Sequence, residues 1–568
     1  MIKRSLLTIF AAFGAVSLSF LHGQNLSGQS DPVAVTTFEC AGIYWKAPDA
    51  GICRIRYRET TGSDWTTGID LVYDSRDGEY RGSIVGLSPG TGYQAELTTG
   101  KSRSAVGFTT RNDKFPVGRI TILKGGESDS TIVITESGTP DAYHLVTVPA
   151  GSSTVLNLKN VYKNGIEIDA DYVIVRGVEV RNAAVHGILI RRNRHDIVIE
   201  QCHVTFWGRI GGPHTYGNFE GGSDSGIYGE RGSGNLTIQR NLIEDPRGAS
   251  NDWETGHPDG PQGISLIESL GGNIIRFNEI ISSEDHGFND GIGGSSNFSF
   301  TGNMNKDSDI YGNLITHCWD DAIESEGGNT NVRIWGNYIH LFYNGIATAS
   351  TSKGPIYIFR NVSGESRSGH WNPMGGAFLK TGKRNEFGGG RRFVFHNTIL
   401  QPRGVFSVFS SHVNPNCITR NNIFDVPGRL ASDTEKEPAS DYDFDYFSGN
   451  TRGRTAREEH GIKFGTTPAG TRLYVTSWNL EFFPRGTINS IKWGKFPYEF
   501  GERKTEITDP VVWIKNPLID SGTLLPGFND DFKGKAPDLG AFETGAPPIQ
   551  FGRRAYLNYD EGRSPWEN

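Results

Sequence analysis

Four carboxylates fall within seven residues at Asp320-Asp321-Ala-Ile-Glu324-Ser-Glu326. Paired carboxylates are the reagents of glycosidic cleavage: one protonates the leaving oxygen, and the other activates water or attacks the sugar. Their oxygens are also hard ligands suited to calcium. Like charges this close cost stability unless a cation, a proton or a positive group compensates. Upstream lies Glu284-Asp285-His286-Gly-Phe-Asn289-Asp290, where His286 reads as a proton shuttle or as a turn residue. Before it, Trp253-Glu-Thr-Gly-His257-Pro-Asp259-Gly sets ionisable groups beside an aromatic, so His257 and Asp259 are candidates for substrate contact. Downstream, Phe378-Leu379-Lys380-Thr-Gly-Lys383-Arg384 supplies cations. Lys380 or Arg384 there would hold a carboxylate or sulfate, act as the proton-abstracting base of a lyase, or form a salt-bridged surface run. The stretch 205–224 carries Trp207, His214, Tyr216 and Phe219, which suit stacking on sugar faces or plugging their own loop. A nucleophile elbow, a phosphate-cradling loop and a His-Glu-x-x-His motif are all missing, so serine hydrolase, kinase and metalloprotease readings have no support.

Such side chains need a rigid frame, and the frame is a repeat. The phrase Asn-x-apolar recurs at Asn241, Asn278, Asn313, Asn337, Asn361, Asn397 and Asn421, at spacings of 37, 35, 24, 24, 36 and 24. A unit of 24 with insertions of 11 to 13 accounts for the series. An apolar residue stands three before nearly every Asn, from Ile238 to Val394. A second phrase, polar-small-apolar, runs through Asn164-Gly-Ile166, His186-Gly-Ile188, Ser225-Gly-Ile227, Gln262-Gly-Ile264, His286-Gly-Phe288, Asp321-Ala-Ile323 and Asn344-Gly-Ile346. Ile227, Ile264 and Ile323 each precede a ladder Asn by 14 residues, and Cys202 takes that slot after Ile188. Two strand types at a fixed offset make a solenoid coil, whose apolar residues bury against the coils above and below at about 4.8 Å. Stacked Asn side chains bond along the ladder. Gly relieves crowding where the backbone bends.

This pattern, over about residues 120–430, resembles the right-handed parallel β-helix proteins. The resemblance implies a groove along one sheet, PB1, to which the polar-small-apolar phrase belongs. With Ile323 inward, alternation turns Ala322, Glu324 and Glu326 outward. Equivalent positions on other coils are Leu189, Tyr228, Ser265, Asn289 and Ala347, so Glu324 is the one ionisable member of that set. Glu324 and Glu326 would lie about 6.6 Å apart at Cα, which suits an inverting pair, whereas carboxylates on adjacent coils would suit a retaining pair. His286 occupies the slot of Asp321 one coil earlier. If Leu379 rather than Phe378 points inward, Lys380 joins the Glu324 column two coils on. Asp320-Asp321 also resembles the adjacent Asp pair of polygalacturonases, but the Asn-Thr-Asp, Gly-His-Gly and Arg-Ile-Lys motifs of that family are absent.

Residues 31–112 read as a separate β unit. Ile84-Val-Gly-Leu-Ser-Pro-Gly-Thr-Gly-Tyr93, with Trp45 as core aromatic, resembles the tyrosine corner of fibronectin type III sandwiches. Such a module serves as a spacer, a packing partner or a carbohydrate binder. Residues 1–24, with Lys3, Arg4 and an apolar run to Phe20, read as a secretory signal peptide. Cys40 and Cys53 are spaced for a disulfide within the small β unit, and the other three cysteines read as buried apolar residues. Solenoid sequence spans 117–545, with an aromatic-rich insertion at about 430–515. The phrase Asn516 to Glu543 looks like the C-terminal cap of exported β-helix proteins, and 546–568 read as a tail.

Gly is 74 of 568 residues and the net charge is −8, which argues against a nucleic-acid partner. The resulting expectation is an all-β, secreted or periplasmic monomer, a right-handed parallel β-helix solenoid preceded by a small β-sandwich. It would cleave an anionic polysaccharide in the PB1 groove, with no membrane insertion. Hydrolysis comes first: Glu324 as acid or base, Asp320, Asp321 or Glu326 as partner, His286 as auxiliary. The substrate contacts would be Trp207, Tyr228, His257, Asp259, Asn289, Lys380 and Arg384. Hydrolysis requires no cofactor. The runner-up is a lyase using calcium and a Lys or Arg base, and the third reading is a non-catalytic glycan-binding surface protein.

Overall fold

The structure, a computed structural model, describes residues 30–47, 50–210, 224–294, 296–364, 366–367, 375–400, 404–409, 416–425, 439–447, 458–463, 471–476, 479–484, 518–547 and 549–557. The signal peptide expected at 1–24, the aromatics His214, Tyr216 and Phe219, and most of the 430–515 insertion lie outside them. Among the described residues every regular element but the 3-10 turn Glu284–His286 is a strand. No helix there is long and apolar enough to cross a membrane.

The N-terminal unit is two four-stranded antiparallel sheets. Alternation builds it: Ile43, Trp45, Ile55, Tyr80, Ala95 and Leu97 meet between the sheets. Tyr93 accepts the Ser88 N–H on its hydroxyl at 2.9 Å. The expected Cys40–Cys53 disulfide is not formed, and both side chains are buried. The physical reason is that they belong to different apolar clusters, Cys53 with Trp45 and Cys40 with Val85, Tyr357 and Phe393.

From Val117 the chain winds as a parallel β-helix. A twelve-stranded back sheet runs from Val117–Ile122 to Asp441–Tyr442. The middle and groove sheets are joined, because Leu314–Glu324 and Tyr338–Thr348 pass through both without a break. Ile166, Ile188, Ile227, Ile264, Ile292, Ile323, Ile346, Leu379 and Phe406 stack as one inward column of the groove sheet. All belong to a single continuous core. The glycines one residue before this column admit no side chain; a Cβ on Gly187 would collide with Val204 of the middle sheet. That position faces inward too, so Ala322, expected outward, is part of the core.

The asparagine ladder closes the corner between back and middle sheets. Asn241, Asn278, Asn313, Asn337, Asn361 and Asn397 each donate from Nδ2 to Oδ1 of the next ladder residue at 2.9–3.0 Å. Each also donates to a carbonyl one coil back, so the buried amides are satisfied. The expected rung at Asn421 is corrected by one residue: Asn397 bonds to Asn422. Asn421 instead occupies the left-handed position that precedes every rung, with φ 59°. The ladder ends on Asp445, which accepts from Asn422 at 2.8 Å.

The sandwich is docked on the outer face of the back sheet. Tyr44 donates to both oxygens of Asp307 at 2.8 and 2.9 Å. Arg333, fully buried, pairs with Asp309 at 2.6 Å. Tyr357 receives the Ser83 N–H on its hydroxyl at 3.0 Å. The C-terminal segment runs along the turn column, with Leu518 and Leu539 packed on Ile423 and Tyr446.

Candidate active site

The groove-sheet strand within Leu314–Glu324 carries the acidic run. Cys318 pairs with Phe342 and Asp321 with Asn344, so one extra residue bulges between them. The bulge presents Asp320 and Asp321 at one place, although they are sequence neighbours. Pairing of Ile292 with Ile323 sets Asp290 beside Asp321 and Gly293 beside Glu324. A Cβ on Gly293 would lie 3.2 Å from both Glu324 Oε2 and Asp290 Oδ2, so a glycine there leaves the carboxylates their room.

Lys380 lies in the Glu324 column one rung beyond Ala347. Its long side chain reaches back across that rung. Nζ stands 2.6 Å from Asp321 Oδ2 and 3.2 Å from Glu326 Oε1. Asp321 also accepts from Asn344 Nδ2 at 2.9 Å, and Glu326 from the Ala349 N–H at 3.2 Å. Glu324 Oε2 accepts the Gly294 N–H at 3.2 Å. Asp290 accepts the Asp321 N–H at 3.0 Å and Gln262 Nε2 at 3.0 Å. Two carboxylates therefore contact one ammonium, with Asp290, Asp320 and Glu324 clustered beside them, and all five are buried.

Burial dominates their protonation. Desolvation, then Glu324 and Asp320, push Asp290 well above the ordinary carboxyl range. Desolvation, then Glu326, do the same to Glu324. Asp320 is pushed up to about 7, first by desolvation and then by Asp321, with Lys380 and His257 opposing. Glu326 is likewise raised to about 7 by desolvation, with Lys380 opposing. Lys380 is held well above the usual ammonium range: its burial opposes this, but Asp321 and Glu326 overcome it.

The donor set fits a divalent cation. Oxygens of Asp290, Asp320 and Asp321 lie within 4.8 Å of one another, as do those of Asp321, Glu324 and Glu326. Two ligands of one calcium ion, each at roughly 2.3–2.6 Å, span no more than about this distance. Asp320 Oδ1 and Glu326 Oε2 are buried with no hydrogen-bond partner, so each trio keeps a lone pair unsatisfied.

A wall rises beside Asp320. Trp253 stacks on Tyr343 with centroids 5.2 Å apart and contacts His257 at 4.7 Å. His257 Nε2 stands 4.0 Å from Asp320 Oδ2 with its side chain 68% exposed. Asp259 is half-buried in the same loop, where its N–H donates to Asn251. Tyr228 lies in the Glu324 column, separated from it by Ser265 and Gly293, and stacks on His186 at 4.3 Å.

Four expectations are corrected. His286 is not in the Asp321 slot. The segment contains the repeat phrase twice, and the rung is Asp290-Gly291-Ile292; His286 sits in a 3-10 turn and bonds through Nδ1 to the Pro246 carbonyl at 2.8 Å. Asn289 leaves the Glu324 column for the same reason and instead meets Gln262 and the Pro258 carbonyl. Trp207 is fully buried in the core against Phe288, where an indole fills the wide corner of the coil. Arg384 is exposed two residues past the strand end at Gly382 and lies over Phe298. Sequence reasoning missed Asp290, Gly293 and the Trp253–Tyr343 stack; the second Asp-Gly-Ile phrase was the available signal for the first.

No protein-family model matches the chain, and no curated protein matches its sequence. Among solved structures, the catalytic unit of a thermostable GH87 α-1,3-glucanase from Streptomyces thermodiastaticus strain HF3-3 is 13% identical, covering 77% of this chain and 89% of that one with a TM-score of 0.35. An alginate lyase from Paenibacillus sp. str. FPU-7 is 13% identical over 54% of this chain and 88% of its own, TM-score 0.30. A redesigned β-sandwich protein matches over 16% of this chain and its whole length, at 20% identity and TM-score 0.13. Likenesses this loose carry no argument about activity; the parallel ladders themselves define the fold.

Proposed function

We propose that the protein is an exported polysaccharide-degrading enzyme that cleaves a uronate-containing glycan by β-elimination at the Asp321–Glu324–Lys380 site. One observation carries the reading: a single lysine Nζ at 2.6 Å from Asp321, the residue shared by two carboxylate trios whose oxygens each lie within 4.8 Å of one another. A hydrolytic pair flanks the scissile bond from two sides, about 5–5.5 Å or 6.5–9.5 Å apart. The carboxylates here stand side by side and buried, a pattern better suited to holding a cation. A divalent cation such as calcium, when bound by Asp290, Asp320 and Asp321 or by Asp321, Glu324 and Glu326, would offset their charge, ease deprotonation of Lys380 and draw electron density from the substrate carboxylate. Lys380 as free amine takes the C5 proton, the C5–H electrons form the C4–C5 double bond, and the C4–O bond breaks. The departing oxygen takes up a proton, for which exposed His257 is our candidate donor. The Trp253–Tyr343 wall offers an apolar edge for a sugar ring.

The hydrolase reading keeps one observation in its favour. Asp320 and Glu326 at about 7 carry protons part of the time at neutral pH, as a general acid must. Product mass spectrometry on a polysaccharide panel separates the two. Elimination yields an unsaturated end and no gain of water; products heavier by water overturn the elimination reading.

A further inference from the structure

The N-terminal sandwich carries a second surface, on the sheet that the solenoid leaves uncovered. Its docked sheet contains Ala41–Lys46 and Glu79–Ile84, whose Tyr44 and Ser83 meet Asp307 and Tyr357. The other sheet runs in the order Thr66–Thr67, Arg54–Glu59, Gly92–Thr98, Arg103–Thr109. Alternation sends Ile55, Ala95 and Leu97 into the core and turns Arg54, Arg56 and Arg58 out. Register brings Arg103 onto the same outer face, because Arg54 pairs with Thr98 and Thr98 with Arg103. Four arginines thus share one face of a chain whose net charge is −8.

Trp65, which precedes Thr66, organises two of them. The guanidinium carbons of Arg56 and Arg58 lie 4.4 and 4.6 Å from its ring centroid. A guanidinium held against an indole keeps its planar fork in one orientation. Glu96 accepts from Arg56 Nε and Nη2 at 2.8 and 2.6 Å, and from Arg103 as well. Arg58 has no ion-pair partner among the described residues. Its Nη1 and Nη2 reach the Ser63 carbonyl and Gln94 only at 3.5 and 3.4 Å, and its Nε is buried with no acceptor. The other acids of the unit's margin leave it so. Asp70 is acted on by Arg54, Asp64 accepts the Ser63 hydroxyl, and Glu59 turns to the inner face, where Tyr93 donates to it. Exposed Lys101 adds a cation in the hairpin between the last two strands. Five cations therefore stand against Glu96, Asp64 and Asp70, and the Arg58 fork meets only long, neutral contacts.

We infer that this face holds a carboxylated glycan chain, with Arg58 at the centre of the contact and Arg54, Arg56 and Arg103 flanking it. The Arg58 fork exchanges its long neutral contacts for a uronate carboxylate, the planar anion its geometry matches. Arg54, Arg56 and Arg58 follow one another at about 6.8 Å, so the row suits a repeating anion better than a single one. The choice of a uronate glycan among polyanions rests on the elimination reading. The face itself shares no residue with the groove, and a polymer held there leaves the groove open. Tethering of this kind raises the concentration of chain near the groove without any new contact in it.

Native electrophoresis of the full chain at low ionic strength, in gels cast with polygalacturonate, neutral dextran or single-stranded DNA, tests the proposal. Polygalacturonate should retard the protein, dextran should not, and DNA should do so at least tenfold more weakly. Arg58→Gln, on an outer sheet face where folding is not at stake, should raise the Kd for polygalacturonate at least tenfold. Trp65→Leu changes no charge and should still raise it at least threefold. Glu96→Gln releases Arg56 and Arg103 and should lower it at least threefold. No retardation of the parent chain, or an unchanged Kd for Arg58→Gln, overturns the face. Equal retardation by DNA overturns the glycan assignment. Cleavage is read separately, from the masses of the products, so a failed elimination reading and a failed binding face give different results.

Discussion

Lys380 is where opposing electrostatic demands meet. It must carry a proton to neutralise the carboxylates when no cation is bound, and it must lose that proton to act as a base. Lys380→Met keeps the stem and removes both roles. The expected result is a loss of turnover of about 10²–10⁴-fold, measured as initial rate on the responsive polysaccharide. Glu324→Gln should abolish turnover and leave the circular dichroism spectrum unchanged. The acids make a separate prediction about pH. Asp320 and Glu326 titrate near 7 in the folded protein, above their unfolded values. Their contribution to stability is therefore full below about pH 4 and is lost as the pH rises through 7. Without added metal the chain should lose about 6 kcal/mol between pH 4.5 and 7.5 from these groups, roughly 3 from each, read by urea titration at fixed ionic strength. Calcium should reverse that loss, because it binds the deprotonated form and its affinity rises over the same interval. A flat profile, with and without calcium, would remove the cation from the site.

At the scale of elements, the asparagine ladder is a row of amides with every lone pair and proton assigned. Asn313→Ala would strip Asn278 of its acceptor and leave the Ile275 carbonyl without its donor. Each orphaned buried group costs about 1–3 kcal/mol, so the expected destabilisation is about 3 kcal/mol or more, measured as a shift in denaturation midpoint. This ladder was legible in sequence because an Asn that bonds to its own kind must recur at the coil period. The one-residue error at Asn421 arose because a left-handed turn residue and a rung stand side by side, and Asn serves both. The groove column was legible at Ile323 and Glu324 through the repeat phrase; Lys380 joined it only on the choice of Leu379 over Phe378, which the sequence left open because both are apolar and both are buried. It was not legible at Asp320, since a bulge breaks alternation and leaves no mark on composition. Nor was it legible at His286, where a turn inserted between two copies of the repeat phrase offered two registers of equal merit. Pairing across coils decides between them, and that information resides in the neighbouring strand.

On the scale of the whole molecule, the sandwich and the solenoid share a buried polar interface. Arg333 has no exposure, and its partner Asp309 has 1%. Arg333→Ala should cost about 3–5 kcal/mol by leaving Asp309 buried and alone. Heating should give one calorimetric transition for both units, not two; a separate early transition would show that the sandwich is an independent appendage. Truncation of 31–112 should expose Tyr357 and Phe393 of the back sheet and produce aggregation, seen by light scattering. Lys380 bonds to Asp321 across one intervening rung, so the distance between base and acid is measured in coil heights. A gene duplication that adds a coil before Trp253 or after Lys380 lengthens the cylinder and spares the chemistry. The same duplication between Glu326 and Lys380 lifts the amine by about 4.8 Å and unhooks it. Inheritance can thus extend this molecule at either end, but the interval from 253 to 380 is indivisible.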